Sequence, residues 1–188
     1  VKPPQHIRII GGQFKRSKLP VADKPGLRPT PDRVRETLFN WLGQDLRSWR
    51  CMDVFAGTGA LGLEAASRGA ASVLLVEQDK SLVQSLSRST QQLQAHQVQI
   101  QQGDGIRVLQ QQAASSLDLI FLDPPFAAGL FETALQHCVR ALQPSGWVYL
   151  EAPRSWSDAE LAPFQLCLYR QLQAGAVHAH LLRPLPSA

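Results

Sequence analysis

The sequence predicts an α/β protein built on a parallel sheet with crossover helices, and three observations carry that prediction. Short apolar runs alternate with helix-period stretches over residues 51–150, as parallel strands require, because each return to the same sheet edge needs a crossover. One run, Met52 to Ala56, ends in Gly57-Thr58-Gly59 and passes at once into a helical pattern through Ala60, Leu61, Leu63, Ala65 and Ala66. Another, Asp118 to Leu122, stops at Asp123-Pro124-Pro125-Phe126, where two successive prolines cannot continue a ladder.

Residues 1–5 read as disordered. Ile7-Arg-Ile-Ile10, the pair Gly11-Gly12 and the stretch to Leu19 read as a β-hairpin turning at the glycines. Its arms interleave Arg8, Lys15, Arg16 and Lys18 with Ile9 and Phe14, which suits a clamp on a polyanion. A Pro/Gly-rich loop carrying Arg28 follows, and then a helix. Thr30 is placed to cap it, Pro31 suits its first position, and Val34, Leu38 and Leu42 form its apolar face. Arg33 and Arg35 lie near its start, and Gly43 ends it. A helix so apolar on one face has to pack, so this basic segment, residues 1–43, is expected to dock on the remainder, 44–188.

In that remainder the strands are expected at 52–56, 72–77, 98–102, 118–122 and 147–151, with helices over 57–69, 79–95, 106–114 and 130–142. Gln143-Pro-Ser-Gly146 reads as a turn. Residues 164–170 and 176–182 read as the arms of a closing hairpin.

Charge is segregated. Residues 1–50 hold eleven Lys/Arg against four Asp/Glu, +7, and residues 51–188 hold eight against eleven, −3. That distribution points to a polyanion-binding appendage on a ligand-binding core. At 188 residues and 44% hydrophobic content one main domain with a real core is expected. No apolar run approaches the ~18–20 residues of a membrane helix, and the N-terminus lacks a signal-peptide pattern, so a cytoplasmic protein without membrane contact is expected. Cys51, Cys138 and Cys167 are far apart and odd in number, and no CxxC occurs, so they read as buried thiols rather than zinc ligands or disulfides. His178 and His180 share one strand face and read as a surface pair. No metal site is expected.

The glycine turn has a chemical reading. Glycine admits a tight turn and close approach of a ligand to the backbone, and the helix behind it offers free N–H groups. Gly57-x-Gly59-x-x-Gly62, with Glu77 at the next strand end 20 residues on, satisfies a dinucleotide fingerprint, and an NAD-dependent oxidoreductase stays open on this motif alone. S-adenosylmethionine uses the same geometry. Asp123 to Phe126 separates the two: a carboxylate, carbonyls with no competing N–H and an aromatic ring at a strand end suit a planar amine attached to a base. A dehydrogenase has no evident use for that set.

These blocks give the chain a resemblance. Arg8-Ile-Ile-Gly-Gly12, Arg28-Pro-Thr-Pro through Leu42, Asp53-Val-Phe-Ala-Gly-Thr-Gly through Glu64, and Asp123-Pro-Pro-Phe126 resemble class I S-adenosylmethionine-dependent methyltransferases. More narrowly, they resemble the RsmD-type 16S ribosomal RNA (guanine-N2)-methyltransferases. The resemblance implies a Rossmann-like seven-stranded, mostly parallel sheet with a C-terminal antiparallel hairpin and a small N-terminal hairpin-and-helix extension. It implies a cofactor site at Asp53, Ala56, Gly57, Thr58, Gly59, Glu77 and Asp104, with Asp79 replacing Glu77 if the register slips. It implies a base-receiving site at Asp123, Pro124, Pro125 and Phe126. Arg8, Lys15, Arg16, Lys18, Arg28, Arg33 and Arg35 would contact RNA of the small ribosomal subunit or its assembly intermediate. S-adenosylhomocysteine would be the product. A DNA adenine-N6 or protein-glutamine methyltransferase is the rival within the same fold.

Overall fold

The computed structural model describes residues 5–125 and 129–186. Strands β1 (His6–Arg8) and β2 (Lys18–Pro20) pair antiparallel, with Ile7 opposite Leu19. Helix α1 (Asp32–Trp41) follows, and then the main unit. This unit comprises β3 (Arg50–Asp53), α2 (Ala60–Ser67), β4 (Ser72–Glu77), α3 (Lys80–Leu93), β5 (Val98–Gln102), α4 (Gly105–Gln110), β6 (Leu117–Leu122), α5 (Phe131–Ala141), β7 (Leu142–Ala152), α6 (Asp158–Leu161), β8 (Leu166–Ala174) and β9 (Val177–Pro184). Seven strands form one sheet in the order β5-β4-β3-β6-β7-β9-β8. The first five run parallel, and β9 joins β7 and β8 antiparallel. The order reverses between β3 and β6, which places a crevice at the C-terminal ends of those two strands.

The central strands are apolar without alternation because both faces are covered. On one face, Val34, Leu38 and Phe39 of α1 pack with Leu61 of α2, Leu86 of α3 and the sheet residues Phe121 and Tyr149. On the other, Leu109 of α4 and Leu135 and Cys138 of α5 pack with Met52, Ile120 and Leu150. The apolar face of α1 is thus part of the core beside α2.

Several local expectations are corrected. Gly11-Gly12 is not a two-residue hairpin turn, since residues 9–17 join β1 to β2. The segment instead docks on the C-terminal end of α2, where Ser67 O accepts the Gln13 N–H at 2.7 Å and Ser67 Oγ accepts that of Phe14 at 2.8 Å. Gly12 has φ +74°, and a Cβ there would lie 1.9 Å from the Ser67 carbonyl oxygen, so only glycine fits. Thr30 does not cap α1: Pro31 stands at the cap, and the Thr30 hydroxyl donates to Glu151 at 2.9 Å. Gln143–Gly146 lies within β7 as a bulge, because Leu117 opposes Leu142 while Leu119 opposes Trp147. Helix α4 stops at Gln110, short of the expected 114. His180 is fully buried rather than superficial; its Nε2 accepts the Trp156 N–H at 3.1 Å.

The largest correction concerns Arg35, expected on the basic surface. Its side chain has no exposure. Nε donates to Thr30 O at 3.2 Å, Nη1 to Arg8 O at 3.0 Å and to Glu64 at 3.3 Å, and Nη2 to Asp32 at 2.5 Å. Glu64, also fully buried, accepts further from Ile10 N and Gly11 N, both at 2.8 Å, and from Arg68 Nε at 2.9 Å. Burying a carboxylate is far less costly when it is so surrounded. The arginine is an internal strut joining α1 and β1 to α2. Among the described residues no helix is long and apolar enough to cross a membrane.

Candidate active site

A cleft of about 840 Å³ opens at the C-terminal edge of the sheet. Asp53, Glu77, Asp123 and Glu151 line it from the ends of β3, β4, β6 and β7, and Asp104 lines it from the residue before α4. Ala56, Gly57, Thr58, Pro124 and Pro125 line it as well. Residues 24–30 form a further wall.

Gly59 caps α2 with φ +79°, and a Cβ there would lie 2.7 Å from Leu86 Cδ2 and 2.9 Å from Leu63 Cδ1. Left-handed backbone and this crowding together favour glycine. Glu77 ends β4 and accepts Gly57 N–H at 2.9 Å through one oxygen and Asp79 N–H at 2.8 Å through the other. A carboxylate has about four acceptor positions, so each oxygen of Glu77 keeps capacity for a ligand hydroxyl. Asp79 is differently occupied. It caps α3, taking Ser81 N, Ser81 Oγ and Leu82 N on one oxygen, and pairs with Lys24 through the other. Lys24, ahead of those hydrogen bonds, holds the Asp79 carboxyl below the usual carboxylate range. Asp104 caps α4 through the Arg107 N–H at 3.1 Å and is otherwise exposed to the cleft.

Asp53 is 1% exposed. Its Oδ2 accepts Gly62 N–H at 3.1 Å, while Oδ1 is buried with no hydrogen-bond partner among the described residues. Burial pushes its carboxyl up to about 7; the charge of Glu77 adds to this, and N–H groups of Gly62 and Phe55 oppose it. An orphaned buried oxygen beside a cleft is costly unless a ligand donor meets it.

Asp123 follows the last residue of β6 and is half-buried, Pro124 is buried and Pro125 exposed. The Asp123 carboxylate accepts no hydrogen bond from the described residues. Burial, then the charges of Glu151 and Asp53, raise its proton affinity well above the usual carboxylate range. Phe126 lies outside the described residues.

Of the seven basic residues expected to face a polyanion, Arg8, Lys15, Arg16, Lys18, Arg28 and Arg33 are exposed. None of these six is in an ion pair among the described residues. Arg28 also stands on the cleft wall. Arg35 is excluded by its burial.

Sequence reasoning assigned no role to Glu151 or, apart from Arg28 and Thr30, to the wall at 24–30. Glu151 is 4% exposed and takes hydroxyl donors from Thr30 and Tyr149, each at 2.9 Å, on one oxygen. The available signal was an acid near the end of an apolar strand, Trp147-Val-Tyr-Leu-Glu151, the pattern already used for Glu77. Among the described residues no group of three or more His, Cys, Asp or Glu could hold a metal ion.

Comparison with known proteins places this arrangement. The family model described as "Conserved hypothetical protein 95" matches residues 7–183. "Ribosomal RNA small subunit methyltransferase D" of Escherichia coli (strain K12) is 40% identical over 188 residues, covering 94% of this chain and 92% of the relative. The protein of the same name from Haemophilus influenzae is 40% identical over 180 residues, covering 89% and 93%. The solved structure "Putative methyltransferase yhhF from Escherichia coli" superposes with a TM-score of 0.82 at 38% identity, covering 97% of this chain and 99% of that one.

Proposed function

Because the chain belongs to the conserved hypothetical protein 95 family, and with it to the family of ribosomal RNA small subunit methyltransferase D, we propose that it methylates the exocyclic N2 amine of a guanine in small-subunit ribosomal RNA. The observation that carries this reading is the Asp123 carboxylate, without a hydrogen bond from the described residues, at the Asp-Pro-Pro corner and set in the cleft beside Asp53. S-adenosylmethionine would supply an electrophilic methyl group and leave as S-adenosylhomocysteine. The residues present fit that cofactor. Asp53 Oδ1 lacks a donor that a ligand ammonium would provide. Glu77 has acceptor positions left for ribose hydroxyls, which favours it over Asp79. Asp104 offers an acceptor to an adenine amine, and Ala56, Gly57, Thr58 and Gly59 form the turn against which the cofactor would lie.

An exocyclic guanine amine is a poor nucleophile because its lone pair is delocalised into the ring. Asp123 and the Pro124 carbonyl would each accept one of its N–H bonds, favouring a more tetrahedral nitrogen. Positive charge grows on that nitrogen as the methyl arrives, so fixed acceptors help the transition state more than the ground state. Asp123 would take the departing proton, and Phe126 would stack on a base turned out of its RNA. The six exposed cations of residues 1–43 would hold phosphates and fix the register of the RNA, making that segment an RNA-binding extension of a methyltransferase unit over 44–188. The reaction would take place in the cytoplasm, on ribosomal RNA or an assembly intermediate.

The test is to incubate the protein with methyl-labelled S-adenosylmethionine and small subunits from cells lacking the gene, then to digest the RNA and identify the labelled nucleoside. Label in N2-methylguanosine is expected. Label in another nucleoside overturns the choice of atom; label in protein or DNA only overturns the choice of substrate.

A further inference from the structure

We infer that Glu151 is a positioning residue of the reaction: a fixed, buried carboxylate that makes Asp123 the proton acceptor for the target amine. The inference rests on the methyl transfer to an amine proposed above. Strands β6 and β7 run parallel with Phe121 opposite Tyr149 and Leu122 opposite Leu150, so one further step along the register sets Asp123 beside Glu151. Both residues line the cleft.

Their surroundings differ in kind. Glu151 receives two hydroxyl donors, Thr30 and Tyr149, on the same oxygen, and such bonds favour its ionised form. Asp123 receives none from the described residues. Of two neighbouring acids, the one with donors keeps its charge and the one without takes the proton. Thr30 comes from the segment preceding α1 and Tyr149 from β7 itself, so both donors are held by the core; the Tyr149 ring packs edge-on against Phe121 at 6.3 Å. Burial raises the proton affinity of both acids, and the Glu151 charge raises that of Asp123 further.

Other charged groups facing the pair are Asp53 from β3, which acts in the same direction on Asp123, and the cleft residues Glu77, Asp79, Asp104, Lys24 and Arg28. Lys24 is bound to Asp79, and no Lys or Arg forms an ion pair with Asp123 or Glu151 among the described residues.

The step balances as follows. The nitrogen lone pair forms the N–CH₃ bond while the S–CH₃ bond breaks with its pair retained on sulfur. The N–H proton then passes to Asp123, and from there to water. Asp123 can accept it only while unprotonated, so kcat falls as pH drops through the Asp123 pKa. The Glu151 charge places that limb at higher pH and makes Asp123 the stronger base.

The experiment measures kcat between pH 5 and 9 at saturating S-adenosylmethionine and small subunits, for wild type and Glu151→Gln. The amide retains the shape and an oxygen for Thr30 and Tyr149, and removes the charge. Expected are a wild-type acid limb above the ordinary carboxylate range, a displacement of that limb downward by about one pH unit in the variant, a plateau lower by about tenfold, and KM values changed less than about twofold. A purely structural role would lower kcat without moving the limb. A wild-type limb at ordinary carboxylate pH, or a raised limb that Glu151→Gln leaves in place, overturns the inference. Should the variant not fold, carboxyl ¹³C titration of the wild type decides, with the Asp123 signal assigned by its loss in Asp123→Asn. Asp123 must titrate at higher pH than Glu151, and the reverse order overturns the inference. No methylated guanosine from the wild type would instead sink the proposed function, while methylated guanosine with an unmoved limb sinks only the role of Glu151.

Discussion

Replacing Arg35 with Met should destabilise the protein while leaving the charge-dependent part of RNA binding nearly intact. Methionine keeps most of the buried stem and deletes the guanidinium. The donors to Thr30 O, Arg8 O, Glu64 and Asp32 are lost together. Asp32 is 64% exposed and rehydrates, so its share is small. The two carbonyls and Glu64 cannot rehydrate as readily. Glu64 retains Arg68 and two backbone N–H groups, so the cost belongs at the lower end of the range for breaking a buried pair, about 3 kcal/mol. In a domain of this size that corresponds to a Tm lower by ~6–12 °C. Urea denaturation at neutral pH checks it, with the m-value showing whether the transition stays two-state. A loss below about 1 kcal/mol would refute the strut. Weakened RNA affinity with unchanged stability would return Arg35 to the binding surface.

Three other outcomes follow from the same structure. Asp123→Ala should lower turnover by at least about a thousandfold, with S-adenosylhomocysteine affinity by calorimetry changed less than threefold; lost cofactor binding would remove Asp123 from the amine-binding role. Asp53 has a carboxyl near 7 in the folded state and about 4 unfolded, so it binds more protons folded than unfolded between those values. Its contribution to stability is therefore greatest below about pH 4, falls as pH rises to about 7 and is level beyond. Asp53→Asn should remove that slope, leaving ligand-free protein a few kcal/mol more stable than wild type at pH 8; equal urea midpoints for the two proteins at pH 8 would refute it. Each single replacement of Arg8, Lys15, Arg16, Lys18, Arg28 or Arg33 by Gln that removes a phosphate contact should reduce the slope of log K against log salt by about 0.7–0.9, measured by filter binding over a salt series. Unchanged slopes for all six would remove the segment from the RNA interface.

What could be read from the sequence was local, and what could not was paired over long distances. The strands of the sheet were legible because burial on both faces leaves continuous apolar runs such as 73–76 and 119–122. The glycine turn was legible because left-handed backbone, which Gly59 adopts, strongly favours glycine. Thr30 looked like a cap since the signal for a cap is a hydroxyl before a helix, but the hydroxyl found an acid 121 residues away. Arg35 looked like surface charge because its partner Glu64 sits 29 residues on, in a helix with no exposed face to mark that acid as buried. Glu151 had a strand-end signature but needed the β6–β7 register to acquire a neighbour.

The long-range pairs have a common consequence. Gly11 and Ile10 are tied to Glu64 on α2, Lys24 to Asp79 at the start of α3, and Thr30 to Glu151 on β7. A basic tail attached by a flexible tether could raise the local concentration of RNA but could not set the position of one base against one carboxylate. These three ties fix the charged segment to the helices and strands that bear the cleft residues, and they place Arg28 on the cleft wall itself. On the proposed reading, phosphate contacts that carry no sequence information would then still select a nucleotide, because the distance from the contacted backbone to Asp123 would be set by the fold. Loosening a tie should therefore lower kcat more than RNA affinity. Thr30→Val is the direct case: it removes a donor to Glu151 and one anchor of the segment without touching any exposed cation. A Thr30→Val protein with weakened RNA binding and unchanged kcat would show that the segment acts as a tether after all.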